Sequence, residues 1–137
     1  MIYIDSDFNK KTGITTVTIQ HMGEKFIGTA KLHPDDKDRN SVLVGGRYAE
    51  MRATIKALKY ERRILKQEYN IIKNFYTSCT QCKDYQFDSN MDKIFRKQLY
   101  KRQKRINEIT EDIAFIQITL AKDILQRDKL LTKTKND

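Results

Sequence analysis

The sequence predicts an α+β fold: a small N-terminal antiparallel β-sheet followed by two long helices that form an antiparallel hairpin or coiled coil. Three observations carry the prediction. Between Gly46 and Cys79, the apolar residues Tyr48, Met51, Ile55, Leu58, Leu65, Tyr69, Ile72, Tyr76 and Cys79 step by threes and fours, with Arg62 alone out of character. That is the seam of a long amphipathic helix, close to a heptad repeat. The same spacing returns through Phe95, Leu99, Arg102, Ile106, Ile109, Ile113, Ile116 and Leu120. Residues 1–33 instead carry β-branched, partly alternating stretches. Two seams joined by one polar break make an antiparallel hairpin, or two arms of an oligomeric coiled coil.

In chain order, Ile2-Tyr3-Ile4 opens as a short strand, and Asp7 to Gly13 reads as a turn in which glycine is free to take a positive φ. Ile14 to Gln20 is a second strand with one buried face, His21-Met22-Gly23-Glu24 a turn, and Lys25 to Leu32 a third strand. A meander this small is marginal alone and must pack on a helix or on a second copy. His33 to Asn40 breaks the β pattern as a loop, with room for a helical turn opened by Pro34. Ser41-Val42-Leu43-Val44 is a fourth short strand or an apolar lead-in, and Gly45-Gly46 resets the backbone before the first helix. Asp84, Phe87, Asp88, Ser89 and Asn90 make the hairpin tip, where Ser89 or Asn90 caps a helix expected from Met91 to Leu131, with Thr132–Asp137 frayed.

The reading is a single domain, 1–137, with a β head at 1–45 and a helical hairpin at 46–137. Its apolar residues concentrate on two stripes, so the core is a thin seam of the kind self-association thickens; a homo-oligomer is the expected state. The net charge of +9 calls for an anionic partner: nucleic acid, nucleotide, acidic protein or membrane surface. No apolar run approaches the roughly 18 residues of a membrane span. The start, MIYIDSDFNKKTG, lacks the basic-then-apolar order of a secretory signal. A cytosolic protein with reduced Cys79 and Cys82 is therefore expected.

Catalytic and metal-binding signatures are weak. Cys79-Thr80-Gln81-Cys82 is one CxxC, whereas structural zinc takes four ligands, and the only histidines, His21 and His33, lie in the β region. Two cysteines lining a helical seam or tip is the plainer reading. Neither histidine has a Ser, Cys or carboxylate at motif spacing, and Gly45-Gly46 lacks the frame of a phosphate loop. Asp35, Asp36 and Asp38 lack the glycine and glutamate of a calcium loop. The expectation is a binding protein with no catalytic residue, metal or cofactor.

The strongest chemical feature runs from Lys93 to Arg105, with seven positive charges, no acid, and Phe95 and Tyr100 interleaved. Such a helix holds phosphates, and its aromatics stack on bases. The competing reading is a solvated basic face. Arg102 favours function, because a guanidinium on an apolar seam must snorkel, find a carboxylate or meet an anion.

Residues 26–31, Phe-Ile-Gly-Thr-Ala-Lys, then His33-Pro34-Asp35-Asp36, then Gly46-Arg-Tyr-Ala-Glu-Met-Arg-Ala-Thr-Ile-Lys56, resemble a family of small phage proteins. This is the first described family of Thoeris anti-defence proteins. Lys37–Val44 falls outside the match, and the remainder corresponds only as architecture. The resemblance implies a sponge that binds cyclic ADP-ribose isomers without cleaving them, in the cytoplasm of an infected bacterium, as a dimer or hexamer. It implies a pocket between subunits, with arginines on the phosphates and an aromatic or arginine on the adenine. Hexameric members also hold cyclic oligonucleotides, the signals of CBASS defence, near their β heads. Arg52 carries over from the matched stretch. Phe87, Asn90, Asp92, Arg102 and Arg105 are candidates by chemistry and location, and Lys31 and His33 are candidates for a second site. The alternatives are a basic coiled coil that binds nucleic acid through residues 93–105, and a phage inhibitor acting by protein–protein contact.

Overall fold

A computed structural model describes residues 1–31, 39–82 and 89–136. Its elements are strands β1 (Ile2–Asn9), β2 (Ile14–His21) and β3 (Glu24–Lys31), then helices α1 (Arg39–Gln81) and α2 (Ser89–Asn136). The sheet is an antiparallel meander of order β1-β2-β3. The predicted fold class is the observed one. By packing, the chain forms two compact units: Met1–Leu58 with Ile113–Asp137, and Lys59–Asp112.

In the first unit, β1 runs on through Asp7, Phe8 and Asn9, which were expected in a turn. The reason is register: Asp7, Phe8 and Asn9 pair with Thr16, Thr15 and Ile14. The turn is tighter than predicted because Asn9 organises it. Its side-chain oxygen accepts from the backbone N–H of Lys11 at 2.9 Å and of Thr12 at 3.3 Å, while Gly13, at φ 72°, donates to the Asn9 carbonyl at 2.8 Å. The second turn places Met22 at φ 55° and Gly23 at φ 78°, both in the left-handed region, as a two-residue type I′ hairpin requires. Methionine is a poor choice there. Met22→Asn is expected to stabilise the protein by about 1 kcal/mol, because asparagine tolerates that conformation where other side chains crowd the next carbonyl. A urea midpoint that fails to rise in this variant would refute the turn assignment.

One sheet face carries Thr15, Val17 and Ile19 from β2 opposite Ala30, Gly28 and Phe26 from β3. Val17, Ile19 and Ala30 are buried together with Ala49, Ala53 and Ala57 of α1. Gly45, Ala49, Ala53 and Ala57 fall every fourth residue and so form one row along the helix. Small side chains in that row let helix and sheet backbones approach. A Cβ built on Gly28 would lie 1.9 Å from the Ala49 carbonyl oxygen, and one on Gly45 would lie 3.1 Å from the Thr15 hydroxyl. Of the two readings of Ser41–Val44 the strand is excluded, and the break expected at Gly45-Gly46 is replaced by continuous helix: glycine at 45 serves the contact with β2.

Two further bonds fix the docking. The Arg52 guanidinium donates to the Thr29 carbonyl and the Lys56 ammonium to the Ile27 carbonyl, each at 2.7 Å. One helical turn and two strand residues both span about 6 Å, so side chains four apart on α1 reach carbonyls two apart on the open edge of β3. Within the same unit, Arg47 pairs with Asp123 of α2 at 3.3 Å. Burial, and then the Asp123 carboxylate, hold the Tyr48 phenol above its ordinary pKa.

The second unit is an antiparallel pair formed by the rest of α1 and the first half of α2. Arg62, Glu68 and Tyr76 contact Thr110, Arg102 and Asp92, with partner numbers falling as α1 advances. Ile106 and Ile109 are buried between them, Ile109 completely. Each seam position predicted on the two helices is buried or half-buried, Arg62 and Arg102 included. The second helix, expected from Met91 to Leu131, begins at Ser89, and the tail expected to fray is helical to Asn136. Among the described residues, no helix is long and apolar enough to cross a membrane.

Candidate anion-binding surface

The basic run of α2 divides by helical angle into two sets with different jobs. Arg102 and Arg105 turn toward α1. The Arg102 Nε donates to Glu68 at 2.9 Å, and its Nη1 reaches the Gln98 side-chain oxygen at 2.8 Å. Arg105 donates to Glu61 at 2.9 Å and lies 3.7 Å from Glu108. Of the three fates open to a guanidinium on the seam, Arg102 meets a carboxylate. Each arginine keeps N–H groups beyond those bonds, since a guanidinium has five.

Lys93, Lys97, Lys101 and Lys104 are spaced by four, four and three, so they form one row up the helix, and all four are exposed. Among the described residues, none of them has a carboxylate within ion-pair distance. Tyr100 lies in the same row and is 69% exposed. The row is about 16 Å long at 1.5 Å per residue. It presents ammonium groups for phosphate oxygens and one ring for stacking.

At the turn end of this hairpin an aromatic group packs between the two helices. Phe95 lies between Phe75, at 5.7 Å between ring centroids, and Tyr76, at 5.8 Å. The Tyr76 hydroxyl donates to Asp92, whose other oxygen pairs with Arg96 at 2.8 Å. The hydrogen bond with Tyr76, and then the charge of Asp92, raise the Arg96 pKa; like any arginine it is a cation throughout. Asp92 therefore anchors Tyr76 and Arg96 to one another, and Asn90 is exposed at the start of α2.

Compared with protein-family models, with curated proteins and with solved structures, this chain matches none.

Of the other expected site residues, Arg52 and Lys31 belong to the first unit. Arg52 ties α1 to β3, and so does Lys56 one turn on. Gly28, Ala30, Ala49 and Ala53 of the matched stretch meet at the same contact. The residue order that carries the resemblance is thus the order that docks helix on sheet. Lys31 is exposed at the end of β3. Phe87 and His33 lie outside the described residues. In the first unit, a groove of about 340 Å³ lies between the inner sheet face and α1, lined among others by Tyr3, Phe8, Val42, Leu43, Arg47 and Glu50. The lysine row was visible in the sequence as charge alone; the angular arithmetic within it separates exposed lysines from seam arginines.

Proposed function

We propose that this chain is a phage immune-evasion protein that binds cyclic nucleotide signals and holds them uncleaved. Cyclic ADP-ribose isomers are the first ligand class and cyclic oligonucleotides the second. The row of exposed lysines around Tyr100 carries the reading. It pairs several charge donors for phosphate with a ring for a base, the two contacts that nucleotide recognition requires. Arg102 and Arg105 stand one helix face away, with donors to spare. The groove beside Tyr3, Phe8 and Arg47 is the place in the β head for the second ligand class. The protein works as a homo-oligomer, dimer or hexamer, in the host cytoplasm. On α2, Phe115, Ile118 and Leu125 are each more than half exposed, at coiled-coil spacing, which supports assembly.

The test is calorimetric titration of the full chain with cyclic ADP-ribose isomers and cyclic trinucleotides, with a random DNA duplex as control. Saturable binding, with the ligand recovered intact after heating, is the expected result. Heat only from the duplex, with affinity falling steeply as salt rises, would replace this reading with nucleic-acid binding, which the same lysine row favours. Neither signal would leave the protein-contact alternative.

A further inference from the structure

We propose that Cys79 and Cys82 are half of a zinc site that a second copy of this chain completes. Both are free thiols; Cys79 is half-buried and Cys82 exposed. The backbone N–H of Cys82 donates to the Cys79 carbonyl at 3.3 Å, which closes a turn at the end of α1 that carries both cysteines. Two cysteines with two residues between them is the usual half of a tetrahedral zinc site, whose full complement is four. Among the described residues, no three His, Cys, Asp or Glu side chains gather where they could hold a metal. The CxxC supplies two thiolates; in the proposed site a two-fold related copy supplies the other two, and the site is incomplete without it.

A second observation points to the same occupant. Ile71, Phe75 and Cys79 are spaced by four and lie in one row along α1. Ile71 is 68% and Phe75 55% exposed. An apolar row that leads to the thiols is what two copies paired about a shared metal would cover. The chemistry also fits the charge. Each thiol gives its proton to solvent, so one Zn2+ and four thiols yield a tetrathiolate of charge −2 and four protons, with no change of oxidation state. That anion lies between copies whose net charge is +9 each. Sulfur ligands select zinc over magnesium or calcium. The proposal does not rest on the nucleotide reading and stands if that reading fails.

The experiment is titration of the full chain, kept reduced with a phosphine, with Co2+ and then Zn2+. One cobalt per two chains is expected, with the charge-transfer and tetrahedral bands of four thiolates, bleached by zinc. X-ray absorption of the zinc form is expected to show only sulfur at about 2.3 Å. Cys82→Ser removes an exposed group beyond the helix, so its circular dichroism should match the parent while the four-thiolate spectrum disappears. One cobalt per chain, a nitrogen- or oxygen-rich spectrum, binding unchanged in Cys82→Ser, or no binding at all would each overturn the proposal.

Discussion

Gly28→Ala is expected to destabilise the fold by about 3 kcal/mol, the upper end of what overpacking costs. The added carbon would sit 1.9 Å from the Ala49 carbonyl oxygen and 2.5 Å from the Ala53 nitrogen. Both are backbone atoms of a helix interior, so no side chain can rotate away to make room. The helix must lift from the sheet, which loosens Ala49 and Ala53 and stretches the Arg52 and Lys56 bonds to β3. Gly46→Ala provides the opposite sign. No atom lies within 4 Å of a Cβ there, and the position is helical. Alanine is therefore expected to stabilise by about 0.5–1 kcal/mol, because it lowers the backbone entropy of the unfolded chain. Urea denaturation of both variants checks the pair. A Gly28→Ala midpoint within error of the parent would show that β3 is not seated on α1 in this way.

The second large effect concerns binding. Replacing Lys97 and Lys101 together by glutamine is expected to weaken cyclic nucleotide binding about a hundredfold. Each substitution removes one charge-assisted hydrogen bond at an exposed site, worth about 1.4 kcal/mol or a factor of ten. Lys66→Gln, an exposed lysine of α1, serves as the control and should bind as the parent does. Unchanged affinity in the double variant would move the ligand off this row. If the parent binds duplex DNA instead, the same variant should reduce the salt slope by about two, one for each ammonium that no longer meets a phosphate. The two anion readings thus give different outcomes from one variant.

Much of the fold was legible without coordinates. Periodicity of three and four marks a residue's side of a helix whatever the partner, so the seams from Tyr48 to Cys79 and from Phe95 to Leu120 could be read directly. The three strands were legible for the same reason at period two. Boundaries were less so. Asp7 and Asn9 look like turn residues, yet cross-strand pairing with Thr16 and Ile14 holds them in β1. Gly45-Gly46 looks like a break, yet the helix runs through both, and Gly45 packs against β2 despite the poor helix propensity of glycine.

The sequence by itself determined the fold class, the helical seams and the excess of positive charge, because each follows from local spacing and composition. Tertiary structure alone decided which partners the inward-facing charges meet. Arg102 and Arg105 belong to the same basic run as Lys97 and Lys101, but Glu68 and Glu61 come from the other helix, and only folding brings them within 2.9 Å. It also decided the role of Arg52. A guanidinium seeks the strongest acceptor within reach, and the open edge of β3 places a backbone carbonyl there, a partner far away in sequence that no spacing rule could name.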